Sequence, residues 1–209
     1  EDIDRLIHLL HAQEDIGEME ILVVDSESRD GTAERAEQLG AKVIRIRQAE
    51  FSHSYARNLG AESASGEYLL FMTQDAIPSG PKWVAELMQP VLRDGVVAVS
   101  CREEPKPDSD LLGRVSIWGH SGYMGIIESD RLLRMPDQQD YDSLRRNGQL
   151  DDVSCLIRRD LFMQFKYRGN YAEDLDLGLR LIRAGYTLAL LATVPVIHSH
   201  TRPPLYHMK

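Results

Sequence analysis

Apolar residues recur at spacings of three and four over residues 3–10, Ile-Asp-Arg-Leu-Ile-His-Leu-Leu, and predict a helix. Short apolar runs then alternate with helical stretches. The run Glu20 to Val24, closing on Asp25, reads as a strand covered on both faces. Ser26 to Thr32 is a turn-rich loop, Ala33 to Leu39 a helix stopped by Gly40, and Lys42 to Ile46 a second strand. Ser54 to Ala64 suits a helix ended by Gly66, and Glu67 to Thr73 a third strand that leads into Gln74-Asp75-Ala76-Ile77-Pro78. Lys82 to Leu92 is amphipathic, with Pro81 at its start and Pro90 near its last turn, and Val96 to Cys101 is a fourth strand. Pro105, Pro107, Gly113, Gly119, Gly122, Gly125 and Met135-Pro136 interrupt residues 102–150, read as an irregular stretch shaped for a second substrate. Order returns with a strand at Val153 to Ile157, helices at Arg159 to Phe165 and Glu173 to Ala184, and apolar segments Thr187 to Ala192 and Val194 to Ile197.

This alternation predicts an α/β domain with a mainly parallel, doubly wound sheet. In such sheets ligands bind outside the carboxyl ends of the strands, where Asp25 and Asp75 stand. Residues 1–209 read as one domain. The opening helix has no strand ahead of it, so the first strand of the pattern is expected to be missing from the sequence.

Composition narrows the function. Hydrophobic content of 43% and charged content of 27% are those of an ordinary globular protein. A net charge of −9 argues against a general nucleic-acid binder, since phosphate backbones attract basic surfaces. Cys101 and Cys155 lie in separate apolar runs without metal-ligand spacing, which predicts buried, reduced thiols and a cytoplasmic setting. No stretch approaches the roughly 20 apolar residues that span a bilayer.

Several polar residues carry chemistry. Glu173 and Asp174 open a helix, with Asp176 just beyond; they serve either the helix dipole or as a general base that deprotonates an acceptor hydroxyl. Asp75 offers hard oxygen ligands for Mg²⁺ or Mn²⁺, and His198 and His200, on one face of an extended segment, offer imidazole. Arg57 is suited either to a phosphate or to an ion pair, and His53 to a cap or to ligand contact.

These segments carry a resemblance. Val23-Val24-Asp25-Ser26-Glu27-Ser28-Arg29-Asp30-Gly31-Thr32 resembles the V-V-D-x-x-S-x-D-G-T segment of family 2 glycosyltransferases, which have the GT-A fold. Phe51-Ser52-His53, Arg57-Asn58-Leu59-Gly60 and Phe71 to Pro78 are similar to its rhamnosyltransferase-like branch. Ala172 to Arg180 resembles the family's E-D motif, and His198-Ser199-His200 its late histidine motif. Order and spacing agree over about residues 20–200, and the resemblance implies a nucleotide-sugar-binding half over 1–101 and an acceptor-binding and catalytic half over 102–209.

The resemblance implies an inverting transferase that moves a sugar from a nucleoside-diphosphate donor, with dTDP-rhamnose as candidate, to a hydroxyl of a glycan or lipid-linked acceptor. Asp25, with Glu27, would contact the nucleoside. Arg57 and Gln74 would lie by the nucleotide, and Asp75 would bind metal and diphosphate. Asp174, or its neighbour Glu173, would be the base, and His198 or His200 the metal-side histidine. Thr73 stands where many members carry the first acid of D-x-D, which removes one carboxylate from the metal site. A lipid-linked acceptor would bring the protein peripherally to the inner membrane face, though no basic amphipathic helix marks one. The alternatives are a nucleotidyltransferase and a non-catalytic nucleotide- or sugar-binding module of the same fold.

Overall fold

A computed structural model describes residues 2–93 and 95–199. Helix α1 (Asp2–His11) buries Ile3, Leu6, Ile7 and Leu10, the positions its three-and-four spacing marks. Strand β1 (Leu22–Asp25) pairs in parallel with β2 (Lys42–Arg45), and α2 (Thr32–Gln38) connects them. Gly40, at φ 87°, takes the left-handed conformation that ends α2 without a Cβ penalty. Helix α3 (His53–Ser63) starts on Ser52, whose hydroxyl accepts from the Tyr55 N–H at 3.1 Å.

The remaining strands form a second sheet. They are β3 (Tyr68–Met72), β4 (Ile77–Pro78), β5 (Val96–Glu104), β6 (Arg131–Leu133), β7 (Ser154–Arg158) and β8 (Thr187–Ile197). Their order is β3-β7-β5-β8-β4, with β6 also on β8. The α/β architecture is as expected, but strand direction is mixed: β5 and β8 are parallel, and the other pairs of this sheet are antiparallel. The cause is β7. It enters between β3 and β5 from residues 149–153, at the carboxyl ends of its neighbours, and therefore runs back against both. The strands β3, β5 and β8 consequently all end at one edge.

Successive residues of the central strands face two different cores. Cys155 and Ile157 of β7, and Leu188 and Leu190 of β8, join the cluster under α3, α7 (Arg159–Phe165) and α8 (Glu173–Arg183). Leu156, Ala189 and Leu191 join the opposite cluster, under α1 and α4 (Trp83–Arg93). A sheet covered on both faces needs apolar residues at every position, which is why these strands read as unbroken runs. Both clusters draw residues from before and after residue 101.

Residues 102–150 are more regular than expected. They contain α5 (Leu111–Met124), β6 and α6 (Tyr141–Gly148). Asp110 and Asp140 cap the two helices, accepting from the Gly113 N–H at 2.7 Å and the Ser143 N–H at 2.9 Å. The periodicity of α5 is blurred because Leu111, Leu112, Val115 and Trp118 are exposed while Ser121 and Met124 are buried. One glycine in α8 has a packing reason: a Cβ on Gly178 would fall on the Gly148 carbonyl, so α6 and α8 touch backbone to backbone. The final apolar segments are one strand with a bulge. Cys101 pairs with Leu191 and Glu103 with Val196, so residues 192–195 bow outward. Asp130 satisfies that bow, accepting from the Ala192 and Thr193 N–H groups. Among the described residues, no helix is long and apolar enough to cross a membrane.

Candidate active site

The edge where β3, β5 and β8 end gathers charge. After β3 the chain turns through Thr73-Gln74-Asp75 and lays β4 antiparallel on the end of β8, with Ile77 opposite Ile197. That turn brings the Asp75 carboxylate to 3.4 Å from Nε2 of His198, the residue just past β8. Lys106 Nζ is 3.8 Å from the same carboxylate oxygen. On the other side of the imidazole, Nδ1 lies 2.6 Å from Glu103 Oε2 of β5. In-register pairing puts Glu103 beside Val196, two residues from His198 and therefore on its face of the sheet.

Electrostatics follow from this packing. Burial works against charge on His198, but the carboxylates of Asp75 and Glu103 outweigh it and raise the imidazole to about 9. The same contact with His198 holds Asp75 well below the usual carboxylate range. Behind Glu103, burial and the Glu103 charge push the Asp151 carboxyl well up. Glu103, His120, Gln149 and Asp151 line a crevice beneath α5.

Residues at the start of α8 complete the region. Ala172, immediately before it, has φ 52°, a left-handed conformation that costs a non-glycine residue roughly 1–2 kcal/mol. Such outliers concentrate at functional sites. Glu173 is buried and accepts from Arg57 Nη1 at 2.8 Å. Asp174 is less enclosed, and its Oδ1 accepts from the Leu175 N–H at 2.7 Å. Burial raises the Asp174 carboxyl above its ordinary value. The charge of Asp174 reaches Asp151, Asp152 and His120, since it contributes to the titration of each.

The structure thus brings together Asp75 with His198, and Arg57 with Glu173. Arg57 is in a buried triad: its Nη1 is also 2.7 Å from Asp152 Oδ2, and its guanidinium lies 5.7 Å from the Tyr167 ring centre. Asp176 pairs with Arg180 at 2.8 Å, one turn along its own helix. Asp25 is buried at the end of β1, where Oδ2 accepts from the Ser28 N–H at 3.1 Å. Glu27, at φ 60°, accepts from the Gln48 N–H at 2.9 Å, and Gln74 is exposed on its turn. His53 is the first residue of α3, with its ring edge-on to Phe51. His200 lies outside the described residues.

Four site residues escaped the sequence reading: Glu103, Lys106, Asp151 and Asp152. A signal was present for three of them, since Glu103 stands two residues past the apolar run Val96 to Cys101 and Asp151-Asp152 directly precedes another. The pairing of β5 with β8, which the sequence does not declare, is what makes Glu103 matter.

A divalent cation fits this edge only in part by protein ligands. Asp75 and His198 present a carboxylate oxygen and an imidazole nitrogen toward each other. Among the described residues no three His, Cys, Asp or Glu side chains gather as a full metal cage. Such a donor set suits an ion completed by substrate phosphates and water.

Comparison with known proteins agrees with this architecture. Residues 1–164 match Glycosyl transferase family 2. The O-antigen chain rhamnosyltransferase WbaN of Salmonella anatum is 28% identical over 190 residues, covering 88% of this chain and 58% of that protein. RfbN of Salmonella typhimurium, of the same description, is 27% identical over 191 residues, with the same coverage of each chain. The chain therefore spans little more than half the length of these relatives. Among solved structures, Staphylococcus aureus TarS 1–349 in complex with UDP-GlcNAc superposes with a TM-score of 0.69 at 16% identity, covering 96% of this chain and 55% of that one. The mannosyltransferase PcManGT from Pyrobaculum calidifontis, in complex with GDP-Man and Mn²⁺, gives 0.65 at 16% identity, covering 97% and 54%. The GT-A fold, the ordered motifs and the family match together mean that the chain belongs to glycosyl transferase family 2.

Proposed function

We propose that this chain carries the catalytic centre of an inverting glycosyltransferase that moves a sugar from a nucleoside-diphosphate donor to a hydroxyl of a glycan or lipid-linked glycan. The observation that carries the reading is the meeting of Asp75 and His198 at the sheet edge where β3, β5 and β8 end. Asp174 is the general base. Its carboxyl is raised by burial, which brings a base closer to the working pH. Glu173 is committed to Arg57 and holds the helix start rather than the proton. Asp25 and Glu27 line the nucleoside side, with Gln74 by the nucleotide, and Lys106 adds a positive charge for the diphosphate. Asp75 and His198 would hold a divalent cation, which when bound would stabilise negative charge on the departing diphosphate.

In the single displacement, Asp174 takes the proton of the acceptor hydroxyl and that oxygen bonds to the anomeric carbon. The bond from that carbon to the phosphate oxygen breaks, and the nucleoside diphosphate leaves with its electron pair. The two relatives named as O-antigen chain rhamnosyltransferases support a nucleotide-activated rhamnose as donor, with dTDP-rhamnose the first candidate to test. The test is ¹H NMR of reactions with a panel of nucleoside-diphosphate sugars, Mn²⁺ and oligosaccharide acceptors. Inversion at the anomeric carbon with one nucleoside diphosphate released per transfer is expected. Release of pyrophosphate would instead identify a nucleotidyltransferase, and nucleotide binding without any turnover a binding module.

A further inference from the structure

We infer that Glu103 is a positioning residue for the metal-side histidine: it accepts the Nδ1–H of His198 and so turns the Nε2 lone pair toward the space beside Asp75. This rests on the metal reading above. The bond is short, 2.6 Å, and both partners sit on paired strands in fixed register. Glu103 is itself held. Its backbone pairs with Val196 of β8, and Asp151 lines the same crevice. The Asp151 backbone is tied in turn, its N–H donating to Ser100 Oγ at 2.9 Å.

An imidazole can offer a metal only one nitrogen, and the hydrogen bond on the other nitrogen decides which. A carboxylate behind the ring also raises its basicity as a ligand, and loss of such partners typically weakens metal binding about 10–100-fold. Among the described residues no three His, Cys, Asp or Glu side chains gather as a cage, so the state of His198 matters to the cation. An imidazole free to exchange tautomers would spend part of its time with a proton on Nε2, facing Asp75 and blocking the metal.

The experiment pairs E103A and E103Q with the wild type. Mn²⁺ binding is followed by electron paramagnetic resonance, and the ring nitrogens of His198 by ¹⁵N NMR of the metal-free protein, at a pH where the same spectra show the ring neutral. Wild type is expected to show one tautomer, protonated on Nδ1. E103A should mix tautomers and bind Mn²⁺ about 10–100-fold more weakly. E103Q, whose amide oxygen still accepts from Nδ1–H, should recover most of that affinity and keep the wild-type unfolding midpoint. Equal Mn²⁺ affinity in wild type and E103A overturns the role of Glu103 alone. No Mn²⁺ binding by wild type removes the metal reading, and this role with it. If E103A does not fold, a wild-type His198 protonated on Nε2 overturns the inference by itself.

Discussion

Replacing Arg57 with alanine tests the buried triad most sharply. Arg57 Nη1 contacts Asp152 at 2.7 Å and Glu173 at 2.8 Å, and the three side chains are 17%, 10% and 9% exposed. Removing one partner of a buried ion pair typically costs about 3–5 kcal/mol, because the remaining charge keeps its desolvation penalty. Here two carboxylates are stranded, and the lost stacking on Tyr167 adds to the cost. For a domain of this size about 2–4 °C accompanies each kcal/mol, so R57A should melt roughly 6–20 °C below wild type at neutral pH.

The loss should also depend on pH. Burial lifts Asp152 from 3.8 to about 7, while Arg57 and the Tyr167 hydroxyl pull it down. A carboxyl raised in the folded state stabilises the fold at low pH, and that contribution fades as pH rises from its unfolded value through its folded one. Without Arg57 the Asp152 carboxyl rises further, so R57A should lose less stability at acidic pH than at mildly alkaline pH. Urea unfolding of both proteins across that range measures the difference. A loss under about 1 kcal/mol, in the range of an exposed pair, or one independent of pH, would refute the buried-triad account.

Three further outcomes follow. D174N should fold normally yet lose about 10²–10⁴ in transfer rate, as for loss of a general base, measured by nucleoside-diphosphate release. G178A should destabilise by about 1–3 kcal/mol or more in urea, because its methyl group meets the Gly148 carbonyl, a backbone atom that cannot swing aside. Burial lifts Cys101 to about 12 and Cys155 higher still, so neither thiol should react with Ellman's reagent at neutral pH until the protein unfolds.

Much of the fold was legible because its signals are local. Unbroken apolar runs marked β5, β7 and β8, since both sheet faces are covered, and the spacing of Leu6, Ile7 and Leu10 marked α1. Strand direction was not legible, because a run of buried residues reads the same in either orientation. Helix α5 was obscured by Gly113, Gly119 and Gly122 and by its exposed leucines. In the site, Asp75 and Glu173-Asp174 were visible as acids beside element ends. The partnership of Arg57 with Asp152 and Glu173 spans more than 90 residues of sequence, and Glu103 with His198 about as many. Only the folded chain brings such pairs together, so the sequence left Arg57 open between phosphate and ion pair.

The most direct test of the central claim is a thermal-shift titration of wild type and D75A with dTDP and other nucleoside diphosphates, each with and without Mn²⁺. A ligand present at about 100 times its Kd stabilises the folded state by about 2.7 kcal/mol, which is readily seen as a rise in melting temperature. The account predicts a rise in wild type that requires both nucleotide and Mn²⁺ and that disappears in D75A. A rise of equal size without metal, or one that survives in D75A, would contradict it.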